Sequence, residues 1–210
     1  MNFVELLRES IFVDRRPFVK NRREIRKRNV SNVDSLVLHQ IAFDRGNNHS
    51  SYDNVGVHFV ILPDGTILQL YDATSYLHAS NRFNARSVAV EFVGNFPDAN
   101  GDWWTGHGVK ARNIPSRKQI YNGRKLINFL RRSLGITHVF AHRQANKNKS
   151  NCPGPHVWNN VGEWALRNGF SDGGQNYCLS EGRAIPKEWR DNEHDLLSSE
   201  KLIHPFLTRS

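Results

Sequence analysis

The sequence predicts a mixed α/β sheet flanked by helices, and two features carry that prediction. Residues 57–62 and 67–70 are strand-like runs joined by Pro63-Asp64-Gly65-Thr66, and Asp-Gly suits the positive φ values of a tight hairpin, so these strands should be antiparallel. Farther on, a helical stretch over 115–134 separates two more strand-like runs, 88–93 and 137–141. A helix between two strands allows a crossover that makes them parallel neighbours.

Taken in order, Phe3, Val4, Leu7 and Ile11 fall near helical spacing, which predicts an amphipathic helix over the first dozen residues. Packing on the core is favoured over a membrane-surface helix, because the apolar cluster is short and carries Glu5, Arg8 and Glu9. A basic run follows, then strands over 36–41, 57–62, 67–70 and 88–93. In the helix over 115–134, Ile120, Leu126, Ile127 and Leu130 share one face, Ser116 is a candidate cap, and Gly135 ends it. After the Pro153-Gly154-Pro155 break, 157–167 reads as a final helix with Trp158, Val161 and Trp164 inward. Beyond Gly169 the composition shifts to scattered charges and a Gly173-Gly174 pair.

With 210 residues and 38% hydrophobic content the chain can bury a real core. No window approaches the run of about 18 apolar residues that a membrane span needs, and the acidic residues in the short apolar start argue against a signal peptide. Synthesis in the cytoplasm is therefore expected. A disulfide between Cys152 and Cys178 is disfavoured there, and Cys152 has a better use below.

The net charge of +9 is concentrated in Arg15, Arg16, Lys20, Arg22, Arg23, Arg26, Lys27 and Arg28. Such a run suits a polyanion, whether nucleic acid, anionic lipid or an acidic wall polymer; the competing reading is a solvated helical face. Phe18 alone interrupts it with an aromatic ring, which argues against a nucleic-acid interface.

The stretch THVFAHRQANKNKSNCPGP, residues 137–155, ends an apolar strand at His142 and returns Cys152 from a Pro-closed loop. Imidazole and thiolate are zinc ligands, yet no C-x-x-C pair completes a structural site, and only His138 and His156 lie nearby. A third ligand must come from elsewhere, and His39, in the strand-like run Leu36-Val37-Leu38-His39-Gln40-Ile41, is the best candidate. Three protein ligands with one open position describe a catalytic zinc. In Ser87-Val88-Ala89-Val90-Glu91-Phe92-Val93, period two puts Glu91 on a face with Ala89 and Val93, either at an edge facing water or as a proton acceptor.

In order, LVLHQ, VGVHFVILPDGTILQL, YLHAS, FNARSVAVEFVGNF, AHRQ and SNCPGP resemble the zinc-dependent N-acetylmuramoyl-L-alanine amidases, a family that includes phage lysozyme-type amidases and peptidoglycan recognition proteins. The resemblance spans roughly residues 31 to 168. It implies a mixed sheet with helices, one zinc ion on His39, His142 and Cys152, and cleavage of the amide between muramic acid and L-alanine. It also implies that Glu91 is the general base, matching the cytoplasmic recycling amidases. Ser150, at the position where relatives carry lysine or threonine, and Lys149, one place earlier, would assist at the oxyanion, and His78, Asn84 and Arg86 would contact substrate, Arg86 through a stem-peptide carboxylate.

Two departures matter. Val57 stands where other members carry tyrosine before the His-Phe pair, which moves the proton transfer onto Glu91; and Cys152 stands where recycling amidases commonly use aspartate. The expected division is an N-terminal helical and basic extension over 1–30, a zinc amidase domain over 31–168 and a C-terminal extension over 169–210. The expected role is lytic, like an endolysin acting on the bacterial cell wall, with the basic arm meeting anionic envelope polymer. The alternatives are a muropeptide-recycling amidase and a recognition protein that binds peptidoglycan without cutting it.

Overall fold

The structure is a computed structural model that describes residues 12–19 and 23–197. The helix expected over the first dozen residues, and Lys20 and Arg22 of the basic run, lie outside the described residues.

Six strands form the main sheet in the order β1-β5-β4-β7-β3-β8. They are β1 (Phe12–Asp14), β3 (Ser35–Ile41), β4 (Phe59–Ile61), β5 (Ile67–Gln69), β7 (Ser87–Val93) and β8 (His138–Ala141); β2 (Arg26–Lys27) and β6 (Ser75–Tyr76) form a separate antiparallel pair. The hairpin is as expected, with β4 and β5 antiparallel and Gly65 N–H bonded to the Leu62 carbonyl in the turn. β3 is parallel to both β7 and β8. The crossover expectation needs a correction: the strand after the helix is parallel to β7 but is not its neighbour, because β3 lies between them. The long connection from β7 clears one strand, and β3, apolar on both sides, is best covered in mid-sheet.

The helix α1 (Arg117–Leu134) starts in a capping box between Ser116 and Gln119 and ends at Gly135, as the sequence predicts. Its Ile120, Leu126, Ile127 and Leu130 pack on Leu36, Leu38, Val88, Val90 and Phe92. The final helix joins the same cluster as two short α pieces, α2 (Pro155–Val157) and α3 (Trp164–Arg167), around a π turn at Trp158–Glu163. Trp158 and Val161 are fully buried there, and Trp164 is partly buried against the same core. Each large apolar side chain so buried stabilises the fold by roughly 1.5–3 kcal/mol.

Both helical units therefore cover one face of the sheet. The other face, carrying Val60, Leu68, Ala89 and Val93, is covered by loops that bring in Tyr52, Val57 and Leu77. Irregular coverage leaves room for a cleft on that side.

Among the described residues, the basic run forms no continuous helical face, and most of its cations are paired or drawn inward. Arg26–Lys27 is strand β2. Arg15 pairs with Asp53, Arg16 with Asp14 and Asp72, and Lys27 with Glu24. Arg28 is drawn inside, where it donates to the carbonyls of Ala73, Asn84 and Ser87, and burial pulls its pKa down to about 10. No helix among the described residues is long and apolar enough to cross a membrane.

Candidate metal centre

Ligands in sheets with parallel strands gather at the carboxyl ends of those strands, and the chemistry-bearing residues lie there. His39 in β3 and Glu91 in β7 are register partners, so their side chains stand side by side on the loop-covered face. β7 is an interior strand, so Glu91 is not an edge residue. His142 is the first residue beyond β8. The loop that follows brings Cys152 back over the strand ends, and the Arg143 N–H bonds the Cys152 carbonyl at 3.1 Å.

His39, His142 and Cys152 are buried, and their ligand atoms lie within 4.8 Å of one another. The two imidazoles face each other Nδ1 to Nδ1 at 3.0 Å, and the Cys152 Sγ is 4.0 Å from His39 Nδ1. Each outer ring nitrogen has its own support. His39 Nε2 meets Ser80 Oγ at 3.0 Å, and His142 Nε2 donates to Asn81 Oδ1 at 2.6 Å, which leaves the His142 Nδ1 lone pair pointing inward. Burial, reinforced by Lys149, lowers the pKa of His142 to about 4 and takes His39 well below the ordinary histidine value. Both rings are neutral, as ligands must be.

Burial pushes the Cys152 thiol up, helped by the Glu91 charge, so a metal binding there displaces its proton. Glu91 is half-buried; its Oε2 is shut off from solvent without a hydrogen-bond partner, and burial lifts its pKa to about 8 against the opposing pull of Lys149. Two convergent imidazoles, a thiol and an orphaned carboxylate fit a divalent cation with an open position beside Glu91. His39, His142 and Cys152 would hold it.

These groups form the floor of a cleft of about 1020 Å³. Lys149, Ser150 and His78 line it and are exposed; Val57 lines it close to the sheet. Asn84 does not. It is buried, and its Oδ1 accepts the Ser80 N–H at 2.6 Å, so it braces the residue that braces His39. Arg86 is also outside the lining: its Nε donates to Asp34 at 2.7 Å, which gives it a protein carboxylate in place of the stem-peptide carboxylate expected from sequence. Both cysteines are free, Cys178 at the surface.

Sequence reasoning missed Ser80, Asn81 and Gln40. Gln40 receives the Phe96 N–H at 2.8 Å and donates to the Asn151 carbonyl, fastening the Cys152 loop to the end of β3. The available signals were a polar residue near the end of the apolar run at Gln40 and the Ser80-Asn81 pair two residues after His78. Asn81 adopts a positive φ of 52°, a conformation asparagine tolerates better than most residues.

Residues 170–197 wrap behind the His142 loop. Leu179 N–H bonds the Gln144 carbonyl at 2.8 Å and Arg183 N–H the Arg143 carbonyl at 2.7 Å, while the Gln144 amide donates to the carbonyls of Asp172 and Tyr177. Arg143 stacks on buried Trp189. Gly182 passes so close to the Gln144 carbonyl that a Cβ would collide with it.

The chain is similar to known proteins in sequence and in fold. Peptidoglycan-recognition protein SC1a of Drosophila melanogaster is 25% identical over 114 residues, covering 54% of this chain and 55% of that protein, so the chain spans about half the length of the curated relatives it matches. The endolysin N-acetylmuramoyl-L-alanine amidase LysCS from Clostridium intestinale superposes with a TM-score of 0.53 at 18% identity, over 76% of this chain and 96% of that one. Peptidoglycan recognition protein LE, solved with tracheal cytotoxin, a monomeric diaminopimelic acid-type peptidoglycan, superposes with a TM-score of 0.56 at 13% identity, over 78% and 97%. At these identities the two solved structures establish the shared fold, a mixed sheet with helices. Residues 29–155, more than half of the chain, match the family described as N-acetylmuramoyl-L-alanine amidase, and the chain belongs to that family.

Proposed function

We propose that this protein is a zinc-dependent amidase that cleaves the bond between N-acetylmuramic acid and L-alanine in peptidoglycan, in a lytic role. The observation that carries the reading is the orphaned Glu91 carboxylate beside the His39, His142 and Cys152 cluster. A site that only recognises peptidoglycan has no use for a carboxyl oxygen shut off from solvent without a partner, which costs stability.

When bound, zinc polarises the substrate carbonyl and lowers the pKa of water toward neutrality. Glu91 accepts the proton of the attacking water and returns it to the departing L-alanine nitrogen. Its raised pKa suits it to carry a proton both ways near neutral pH. Val57 offers no hydroxyl at the position where relatives carry tyrosine, so Glu91 carries the proton without it. Lys149, whose charge is felt by Glu91, His39 and His142, stabilises negative charge on the carbonyl oxygen, and Ser150 offers it a hydroxyl donor. His78 contacts the substrate from the cleft wall.

The lytic assignment rests on the likeness to an endolysin amidase, with the bacterial cell wall as its place of action. The basic arm lends it little, since most of its described cations are paired internally. The likeness to recognition proteins keeps one competing reading in view, binding without cleavage. Mass spectrometry of purified peptidoglycan after incubation separates the two. Peptides with a free L-alanine amino terminus are expected, lost with a chelator and restored by zinc; cuts within the glycan or within the peptide, or binding with no product, would overturn the proposal.

A further inference from the structure

The tandem tryptophans Trp103 and Trp104 have opposite fates. Trp103 is half-buried, its indole N–H reaching the Asn113 carbonyl and Arg112 lying over its ring. Trp104 is 44% exposed on the wall of the metal cleft and meets Phe43, itself 47% exposed, edge to face at 6.0 Å. Two large aromatic side chains are thus held together at the cleft, each with close to half of its surface left in water.

The platform is held rigidly. Asn95 Nδ2 donates to the carbonyls of Trp104 and Ala111 at 2.8 and 2.7 Å, closing the loop at its base, and Asn113 bonds back to Asn95 through both backbone and side chain. Gly106 lies flat against the Trp104 indole, so close that a Cβ there would collide with the ring, and His107 sits 5.7 Å from it. Asn95 is 1% exposed, lines the cleft, and leaves its Oδ1 without a partner. A rigid aromatic surface beside an unsatisfied amide acceptor asks for a ligand with an apolar ring face and hydroxyl donors.

We propose that Phe43, Trp104 and Asn95 form a saccharide subsite that holds a pyranose ring of the glycan strand beside the metal centre. A pyranose offers C–H groups to the indole and hydroxyls to the Asn95 Oδ1. Phe43 lies four residues beyond His39, a span of no more than roughly 13 Å at strand rise, so one strand can occupy both places. The subsite rests on the reading of this cleft as a peptidoglycan site and adds that the enzyme grips the glycan, favouring polymeric over monomeric substrate.

The test is binding of peptide-free GlcNAc–MurNAc oligomers, which contain no scissile amide, measured by tryptophan fluorescence and calorimetry. Binding is expected in the presence and absence of a chelator, since no metal ligand belongs to the platform. Trp104→Ala should weaken it about tenfold, with Trp104→Phe retaining most of the affinity. Because Trp104 is exposed, the variant should keep the wild-type melting temperature and zinc content. On the catalytic side, Trp104→Ala should raise KM more for glycan-linked substrate than for a monomeric muramyl-peptide, which offers the platform one ring at most. Failure of the wild type to bind the oligomers, or Trp104→Ala binding within twofold of it, would overturn the subsite whatever the outcome for hydrolysis. Trp104-dependent binding without any amide cleavage would uphold the subsite and overturn the amidase reading instead.

Discussion

On the floor of the cleft, His39 and Glu91 are fixed by a parallel ladder in which every residue of β3 has a partner in β7. On the rim, His142 and Cys152 occupy a loop of two short 3-10 turns, His142–Gln144 and Lys147–Lys149, held by side-chain amides and by the strap over 170–197. One half of the centre is positioned by backbone that would form without any site, the other by contacts that exist only once distant segments have packed. The difference teaches where the site can be broken without breaking the fold. Rim contacts can be removed one at a time, whereas floor geometry is lost only with the sheet.

The largest effect is expected from removing a ligand in either half. His39→Ala and Cys152→Ser should each lower stoichiometric zinc content and cut amidase turnover by more than about a hundredfold, because a soft thiolate is not replaced by a neutral hydroxyl nor an imidazole by a methyl group. Cys178→Ser, changing an exposed thiol, should leave both unaltered. Full zinc content and turnover in Cys152→Ser would mean that the rim supplies no thiolate and that the floor binds metal by other means.

Next comes Glu91→Gln, which separates metal binding from proton transfer within the floor. The amide cannot accept a proton, so kcat should fall by roughly a hundredfold or more while KM and zinc content hold. The metal-free variant should be about as stable as wild type near pH 7, since with its pKa raised to about 8 Glu91 is already largely the neutral acid, which the amide matches in size. A variant with wild-type kcat would remove Glu91 from the reaction.

The two halves also differ in how far they could be read from sequence. The floor was legible because period two in 87–93 and the apolar run ending at His39 fix which face each side chain takes, and register follows from the ladder. α1 was legible from Ser116, its apolar spacing and Gly135. The rim was legible only as ligand types: Cys152 and His142 stood out by chemistry, but Ser80, Asn81 and Gln40 meet them through contacts tens of residues apart in sequence. Asn84 and Arg86 show the limit of carrying roles across a resemblance, since one braces Ser80 and the other pairs with Asp34. β2 and β6, of two residues each, carry no periodicity, and β1 has no turn signal like the Pro63-Asp64-Gly65-Thr66 that revealed the equally short β4 and β5.

The strap predicts a smaller effect confined to the rim. Gly182→Val must push the strap off Gln144 and so loosen the loop from behind. Zinc affinity, measured by chelator competition, should fall by about tenfold, as for other outer-layer supports, while Glu91 and His39 keep their places. Faster hydrogen exchange at Leu179 and Arg183 would report that the strap has lifted. Lifting without loss of zinc affinity would show that the rim holds itself.

The smallest effect tests the floor through a histidine outside the metal cluster. His58 is buried beneath β7, where its Nδ1 accepts the Ala89 N–H at 3.0 Å and its Nε2 donates to the Ser75 carbonyl at 3.0 Å. A proton added to Nδ1 would face that N–H donor. Burial, with the Arg28 charge at 3.2 Å from Nε2, lowers the His58 pKa from 6.5 to about 3. Between those values the unfolded chain binds a proton that the folded chain refuses, so stability from this residue is complete above about pH 6.5 and declines as pH falls toward 3. The slope is at most about 1.4 kcal/mol per pH unit for one such group. Urea melts of metal-free protein should therefore lose stability between pH 7 and 5, and His58→Gln should flatten part of that loss, with His39 and His142 supplying the remainder. An equal slope in the variant would show that His58 takes up its proton in the folded state, and that the underside of the floor is more open to water than its packing implies.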